Sequence, residues 1–96
     1  MLIFAIAVAL LLTPPETADV RCVAIIGIAA RTDATLRTPG AEFAARVGAA
    51  IIDRTRASRT DVGNAILAAG MQVAAAPANA AERERCTARM AEVLVG

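Results

Sequence analysis

The fold is decided by the stretch SRTDVGNAILAAGMQV, residues 58–73. Apolar side chains recur along it at the 3.6-residue spacing of an α-helix, at Val62, Ile66, Ala69 and Val73, with Leu67 and Met71 widening the same face. Ser58 is followed three residues later by Asp61, a pattern that resembles a helix-capping box. Pro77 ends the pattern because proline cannot continue the hydrogen-bond ladder. The stretch therefore predicts an amphipathic helix that begins near Arg59.

The same spacing predicts a helix on either side of this stretch. The upstream helix begins near Gly40 and carries an apolar stripe of Phe43, Val47, Ala50 and Ile51. The downstream helix is capped by Asn79 with Glu82 and carries an apolar face of Cys86, Met90, Val93 and Leu94.

A further helix is predicted from about Asp19 to Ala30, and it is apolar around most of its circumference. That pattern is typical of a helix surrounded by others. The polar residues 31–39 that follow are predicted to form a loop of about nine residues, interpreted first as a connector and alternatively as a functional loop. The fold class is therefore an all-α domain of four helices.

An apolar run, MLIFAIAVALLL, occupies residues 1–12 and ends at Thr13-Pro14-Pro15. It is shorter than the about 20 residues of a membrane-spanning helix, but it matches the apolar part of a secretory signal. We predict that residues 1–18 are a signal peptide cut after Ala18 and that residues 19–96 form a periplasmic or secreted domain. Two alternatives stay open: a retained hydrophobic helix that anchors or packs, which would bring membrane contact, and an ordinary first core helix.

Cys22 and Cys86 are the only cysteines, and they lie near the two ends of the predicted domain. In an oxidising compartment they are predicted to form one disulfide that joins the first helix to the last. Buried free thiols and a redox couple are the alternatives, although redox cysteines usually lie close together in sequence. Structural zinc is disfavoured because it requires four Cys or His ligands.

The composition excludes several function classes. The chain has no histidine, tryptophan or tyrosine, and its formal net charge is +1. Catalysis by histidine, metal binding by histidine and stacking of bases on an aromatic platform are therefore excluded. Nucleic acid is not expected as a partner because ten arginines against nine acids give no large field of one sign.

Few residues suggest chemistry. Ser58 is the only serine, and without a histidine or lysine base it is interpreted as a helix cap rather than a nucleophile. No catalytic, cofactor-binding or metal-ligating residue is predicted, and the protein is not expected to be an enzyme. Arg54, Arg56 and Arg59 form the one local basic cluster, near a helix C-terminus. They are candidates for contact with a phosphate or an anionic lipid.

A helical chain with one cysteine near its start, in Val20-Arg21-Cys22-Val23, and one in its last helix, in Arg85-Cys86-Thr87, resembles the periplasmic acid-stress chaperones of the Hde type. The resemblance covers residues 19–96 as a layout and implies a protein that unfolds in acid to expose apolar faces. The chain also resembles small exported proteins rich in alanine and arginine from GC-rich bacteria, a likeness that implies no activity.

The leading functional prediction is a small exported module, without enzymatic activity, that acts by protein contact. Leu67 and Met71 are predicted to centre an exposed apolar patch that binds a partner or a second copy of the chain. The alternative for these two residues is burial under the first helix. The alternative functions are an acid-stress chaperone and a membrane-associated subunit held by an uncleaved N-terminal segment.

Overall fold

A computed structural model describes residues 11–96, which form an all-α domain without strands. Within residues 11–96, four α-helices follow in chain order: α1 (Pro14–Ala29), α2 (Arg37–Thr55), α3 (Arg59–Ala75) and α4 (Ala80–Val95). The predicted four-helix fold class is confirmed. Most of the apolar part of the predicted signal segment, residues 1–10, lies outside the described residues.

Helix α1 begins at Pro14, five residues before the predicted start at Asp19. The Thr13 hydroxyl accepts a hydrogen bond from the Glu16 backbone N–H at 3.3 Å, and the Glu16 carboxylate accepts one from the Thr13 N–H at 2.9 Å. Proline is tolerated in the first turn because the N–H groups there have no partner within the helix. Thr13-Pro14-Pro15 therefore starts a helix, and residues 14–18 form its first turn.

The predicted loop of residues 31–39 is also partly helical. After a short turn, Asp33 caps a single 3-10 turn, Ala34–Leu36, by accepting a hydrogen bond from the Thr35 N–H at 3.0 Å. Helix α2 then begins at Arg37, so that Pro39 and Gly40 lie inside its first turns. The prediction of a nine-residue loop was wrong because proline within a first turn does not break a helix.

Two predicted caps are confirmed. Ser58 and Asp61 form a reciprocal capping box at the start of α3. The Asn79 side chain accepts a hydrogen bond from the Glu82 N–H at 2.8 Å at the start of α4. These caps satisfy backbone N–H groups that have no partner within the helix.

Helix α1 lies at the centre of the domain and contacts each of the other three helices, as its apolar circumference predicted. In the part of the chain that the structure describes, the core consists of thirteen buried apolar residues: Val20, Val23, Ala24, Ile25, Ile26, Phe43, Val47, Ile51, Val62, Ala69, Val73, Cys86 and Met90. Ala50, which was placed on the apolar stripe of α2, is instead exposed. The predicted disulfide between Cys22 and Cys86 is confirmed, with their Cα atoms 5.0 Å apart, and it joins α1 to α4.

The packing of the other helices around α1 is open on one side. Helix α2 contacts both α3 and α4. Helices α3 and α4, both described in full, do not contact each other. A gap is therefore left between α3 and α4, and α1 lies beneath it.

Candidate functional site

Two large apolar side chains of α3 point away from the core. Leu67 is 64% exposed and Met71 is 68% exposed, whereas Val62, Ala69 and Val73 of the same helix are buried. Helix α1 thus covers one side of α3 and leaves the other side open. Large exposed apolar side chains that lie side by side commonly mark a binding surface.

Leu67 and Met71 border an apolar groove of about 520 Å³ in the gap between α3 and α4. Ile25, Ile28 and Ala29 of α1 line the groove, together with the C-terminal half of α3 and the start of α4. Pro77 and Ala78, in the connection from α3 to α4, line it at one end. We call this space the α3/α4 groove.

The charged residues that line the α3/α4 groove are both arginines, Arg31 and Arg83, and none of the described lining residues is acidic. Arg83 donates a hydrogen bond to the Ala78 carbonyl at 2.8 Å. Within residues 11–96, neither arginine forms an ion pair. The groove therefore combines apolar walls with two cations that lack a carboxylate partner.

A second groove, of about 480 Å³, lies on the other side of the α1–α3 contact. It shares Ile28, Arg31, Leu67 and Gly70 with the α3/α4 groove, and Gly27 lines it from α1. Leu67 thus separates two apolar depressions, and Arg31 lies where they meet.

Glycines leave open space along α1 and α3, because they place no side chain there. A Cβ atom built at Gly70 has no neighbouring heavy atom within 4 Å, and the same holds for Gly27 and Gly63. Isolated glycines in the helical pattern, at Gly48, Gly63 and Gly70, predict close helix packing. Gly48 does pack closely, because its Cβ would lie 3.5 Å from Val62 Cγ1, but Gly63 and Gly70 have open space at this position. At Gly70 the missing side chain instead widens both grooves.

Among the described residues, three ion pairs join α1 to its neighbours. The Arg54 guanidinium donates two hydrogen bonds to Glu16, Arg89 pairs with Asp19 at 2.9 Å, and Arg21 pairs with Glu82 at 2.6 Å. The hydrogen bonds from Arg54, together with the Thr13 N–H, lower the pKa of Glu16 from 4.5 to about 2. Arg21 likewise lowers the pKa of Glu82. The Glu16 carboxylate therefore stays charged unless the solution is strongly acidic.

The three arginines of the predicted basic cluster, Arg54, Arg56 and Arg59, have different surroundings in the structure. Arg54 binds Glu16 and also donates a hydrogen bond to the Leu11 carbonyl at 2.9 Å. Arg56 ends α2 in the left-handed region, with φ 62°, a conformation usually taken by glycine. Arg59 lines a different cavity, beside Asp53. Arg54 is therefore already paired with a carboxylate of the same chain, Glu16, at the position where the sequence suggested contact with a phosphate or an anionic lipid.

The sequence analysis did not identify Arg31 and Arg83, which are better candidates for binding an anion because they line the groove without a carboxylate partner in residues 11–96. Arg31 and Arg83 are 52 positions apart in the printed chain, and no local motif links them. Their common position on one groove depends on the gap between α3 and α4, which periodicity does not encode. Ser58 acts as a helix cap, and residues 11–96 contain no group of three Cys, Asp or Glu side chains placed to hold a metal ion.

No protein-family model, curated protein or solved structure matches the chain. Among residues 11–96, no helix combines the length and the apolar character that crossing a bilayer requires. Disulfides are typical of oxidising compartments, so the Cys22–Cys86 bond points to export from the cytoplasm.

Proposed function

We propose that this protein is a small exported helical domain that acts without catalysis, by binding a protein partner through the exposed side of α3. The observation that carries the proposal is the exposure of Leu67 and Met71 on a disulfide-linked domain. The partner is another protein or a second copy of the chain. The protein acts outside the cytoplasm, either in the periplasm or as a secreted protein.

The composition of α3 supports this proposal. From Val62 to Ala75 the helix has no charged residue, although Leu67, Ala68, Met71 and Gln72 are exposed. Helix α4, by contrast, exposes charged side chains such as Arg83, Glu84 and Arg85. Interface centres are depleted in charge and enriched in methionine, so α3 has the composition of a contact surface.

The double variant L67E/M71E tests the proposal. Because both side chains are exposed, we expect an unchanged helical circular dichroism spectrum together with loss of self-association in analytical ultracentrifugation or of partner capture from the native compartment. Val95→Glu is the matched control, since Val95 is also an exposed apolar residue but lies away from α3. Loss of helicity in the double variant, or unchanged association, contradicts the proposal.

A second candidate, an acid-stress chaperone, is favoured by the chemistry of the ion pairs. In the predicted domain of residues 19–96, the ion pairs that tie α1 to α4 depend on the carboxylate of Asp19 or Glu82. In strong acid, carboxylates as a class lose their charge while the ten arginines keep theirs, so repulsion favours opening and the disulfide keeps α1 attached to α4. Protection of a client protein from aggregation, followed by light scattering at pH 2 to 3, tests this function; no protection removes it.

The membrane-associated alternative requires that residues 1–18 remain on the protein. Intact mass of the protein recovered from its native compartment separates the two cases and reports the disulfide at once. A mass that begins at residue 19 supports the predicted signal peptide. A mass that retains residues 1–12 contradicts the predicted cleavage and favours attachment or packing by that segment.

A further inference from the structure

We propose that the α3/α4 groove binds a single-chain anionic amphiphile of the fatty-acid class, with its hydrocarbon chain on Ile25, Ile28 and Met71 and its carboxylate at Arg31 and Arg83. This binding activity does not depend on the proposed protein contact. It follows from the shape, the lining and the charge of the groove.

The size and the walls of the groove suit a hydrocarbon chain. Its volume of about 520 Å³ lies within the range of small-molecule sites, which is about 300 to 1,000 Å³. Its lining is mostly aliphatic, from Ile25, Ile28, Leu67, Met71 and Val73. Such sites are typically apolar and contain a few polar groups that fix the orientation of the ligand. Methionine adapts its shape to flexible ligands, which suits a chain of methylene groups.

The charge of the groove selects the head group. Both charged lining residues are arginines, and neither has a carboxylate partner in residues 11–96. Three arginines on or beside α1, namely Arg21, Arg54 and Arg89, are each paired with an acid. A guanidinium binds a carboxylate in a bidentate geometry, whereas it repels an ammonium group. The ligand that complements this groove is therefore apolar with an anionic end.

Two other occupants lack the required charge. Residues 1–10 are MLIFAIAVAL and contain no acidic residue. The side of α3 that a second copy would offer has no charged residue from Val62 to Ala75. Either one would cover the apolar walls but leave Arg31 and Arg83 without a carboxylate.

Gly70 allows the groove to be blocked without disturbing the core. A side chain at this position meets no heavy atom within 4 Å of its Cβ and extends into the groove. Leucine is also a better helix former than glycine, so Gly70→Leu is expected to fold. Gly63→Leu is the matched control, because its Cβ is equally free but Gly63 lines a different cavity.

The binding test uses decanoate, dodecanoate and tetradecanoate below their micelle concentrations, measured by isothermal titration calorimetry on the intact, oxidised protein. Each added methylene is expected to tighten binding roughly fourfold if it is buried in the groove. The alcohols of the same chain lengths should bind at least tenfold more weakly, and the alkylamines more weakly still. Gly70→Leu should abolish binding, whereas Gly63→Leu should leave it unchanged.

A separate pair of variants tests whether Arg31 and Arg83 bind the carboxylate of the ligand. In R31A/R83A the acid should lose its advantage over the alcohol, while Arg85→Ala, on an exposed arginine of α4 outside the groove, should keep it. Equal affinity of wild type for acid and alcohol overturns the proposal. So does binding that survives Gly70→Leu, that is indifferent to chain length, or that keeps its preference for the acid in R31A/R83A.

Discussion

Arg54, in the last turn of α2, donates hydrogen bonds from Nε and Nη2 to the two carboxylate oxygens of Glu16, in the first turn of α1, at 2.7 and 2.5 Å. The same carboxylate accepts the Thr13 N–H, so one acidic side chain caps α1 and ties it to α2. The pKa of Glu16 falls to about 2 because this arrangement favours the charged form. Glu16 therefore contributes both to the N-terminal cap of α1 and to the contact between α1 and α2.

The first prediction concerns acid. Because the pKa of Glu16 is about 2 in the folded protein against an ordinary value of 4.5, its contribution to stability is present above pH 4.5 and is lost as the pH falls towards 2. In the chain that retains residues 1–18, we expect the melting temperature to fall over this interval, and Glu16→Gln to flatten the fall while lowering the melting temperature at pH 7. Glu84→Gln is the control, since Glu84 forms no ion pair within residues 11–96. An equal effect of the two variants contradicts the role of Glu16.

The second prediction concerns the disulfide. A bond that closes a loop of about 65 residues restricts the unfolded chain by roughly 4 kcal/mol in the chain-entropy model, which is similar to the net stability of a small core. We expect C22A/C86A to lose most of its free energy of unfolding in urea at pH 7. Cys86 is 1% exposed, so alanine also leaves a small cavity. Reduction of the wild type separates the two effects, because it breaks the bond and keeps both sulfur atoms; stability unchanged by reduction would contradict the prediction.

The third prediction compares two glycines. Gly63→Ala should raise the free energy of unfolding by up to about 1 kcal/mol, because its Cβ meets no atom within 4 Å and alanine is the better helix former. Gly40→Ala should gain less or lose stability, because its Cβ would lie 3.0 Å from Ile26 Cγ2, and Ile26 is buried in the core. Urea unfolding of both variants measures the difference. A larger gain at Gly40 than at Gly63 would show that the α1–α2 contact is looser than described.

The parts of the fold that could be predicted from sequence depend on short-range chemistry. Ser58 with Asp61 and Asn79 with Glu82 act within four residues of each other, so their caps were predicted correctly. Thr13 and Glu16 have the same spacing, but the two prolines between them were interpreted as the end of an apolar run. That capping box could have been found from sequence, since proline is common at the first position of a helix.

The candidate site depends on relations that sequence periodicity does not contain. The pattern of α3 placed Leu67 and Met71 on a wide apolar face, but it could not decide whether α1 would cover them. The structure leaves them exposed because α3 turns Val62, Ala69 and Val73 into the core formed with α1 and α2, and Leu67 and Met71 lie outside it. The groove exists because α3 and α4 both pack on α1 without contacting each other, which is a property of the whole assembly.

The last prediction concerns Phe43, the one aromatic residue among residues 11–96. Phe43 of α2 is 0% exposed, and it is the largest of the fully buried side chains in a core whose other described members are Val, Ile, Ala, Cys and Met. Phe→Ala in a core typically costs about 3 to 5 kcal/mol, because the buried ring is lost and the surrounding side chains only partly fill the space. A core of this size supplies about as much, so we expect Phe43→Ala to lose cooperative thermal unfolding even with the disulfide intact. Phe43→Leu is the control: it keeps most of the apolar contact and should still unfold cooperatively at a lower melting temperature. A sharp transition in Phe43→Ala, followed by circular dichroism, would show that the disulfide and the other core residues hold the four helices together without this ring.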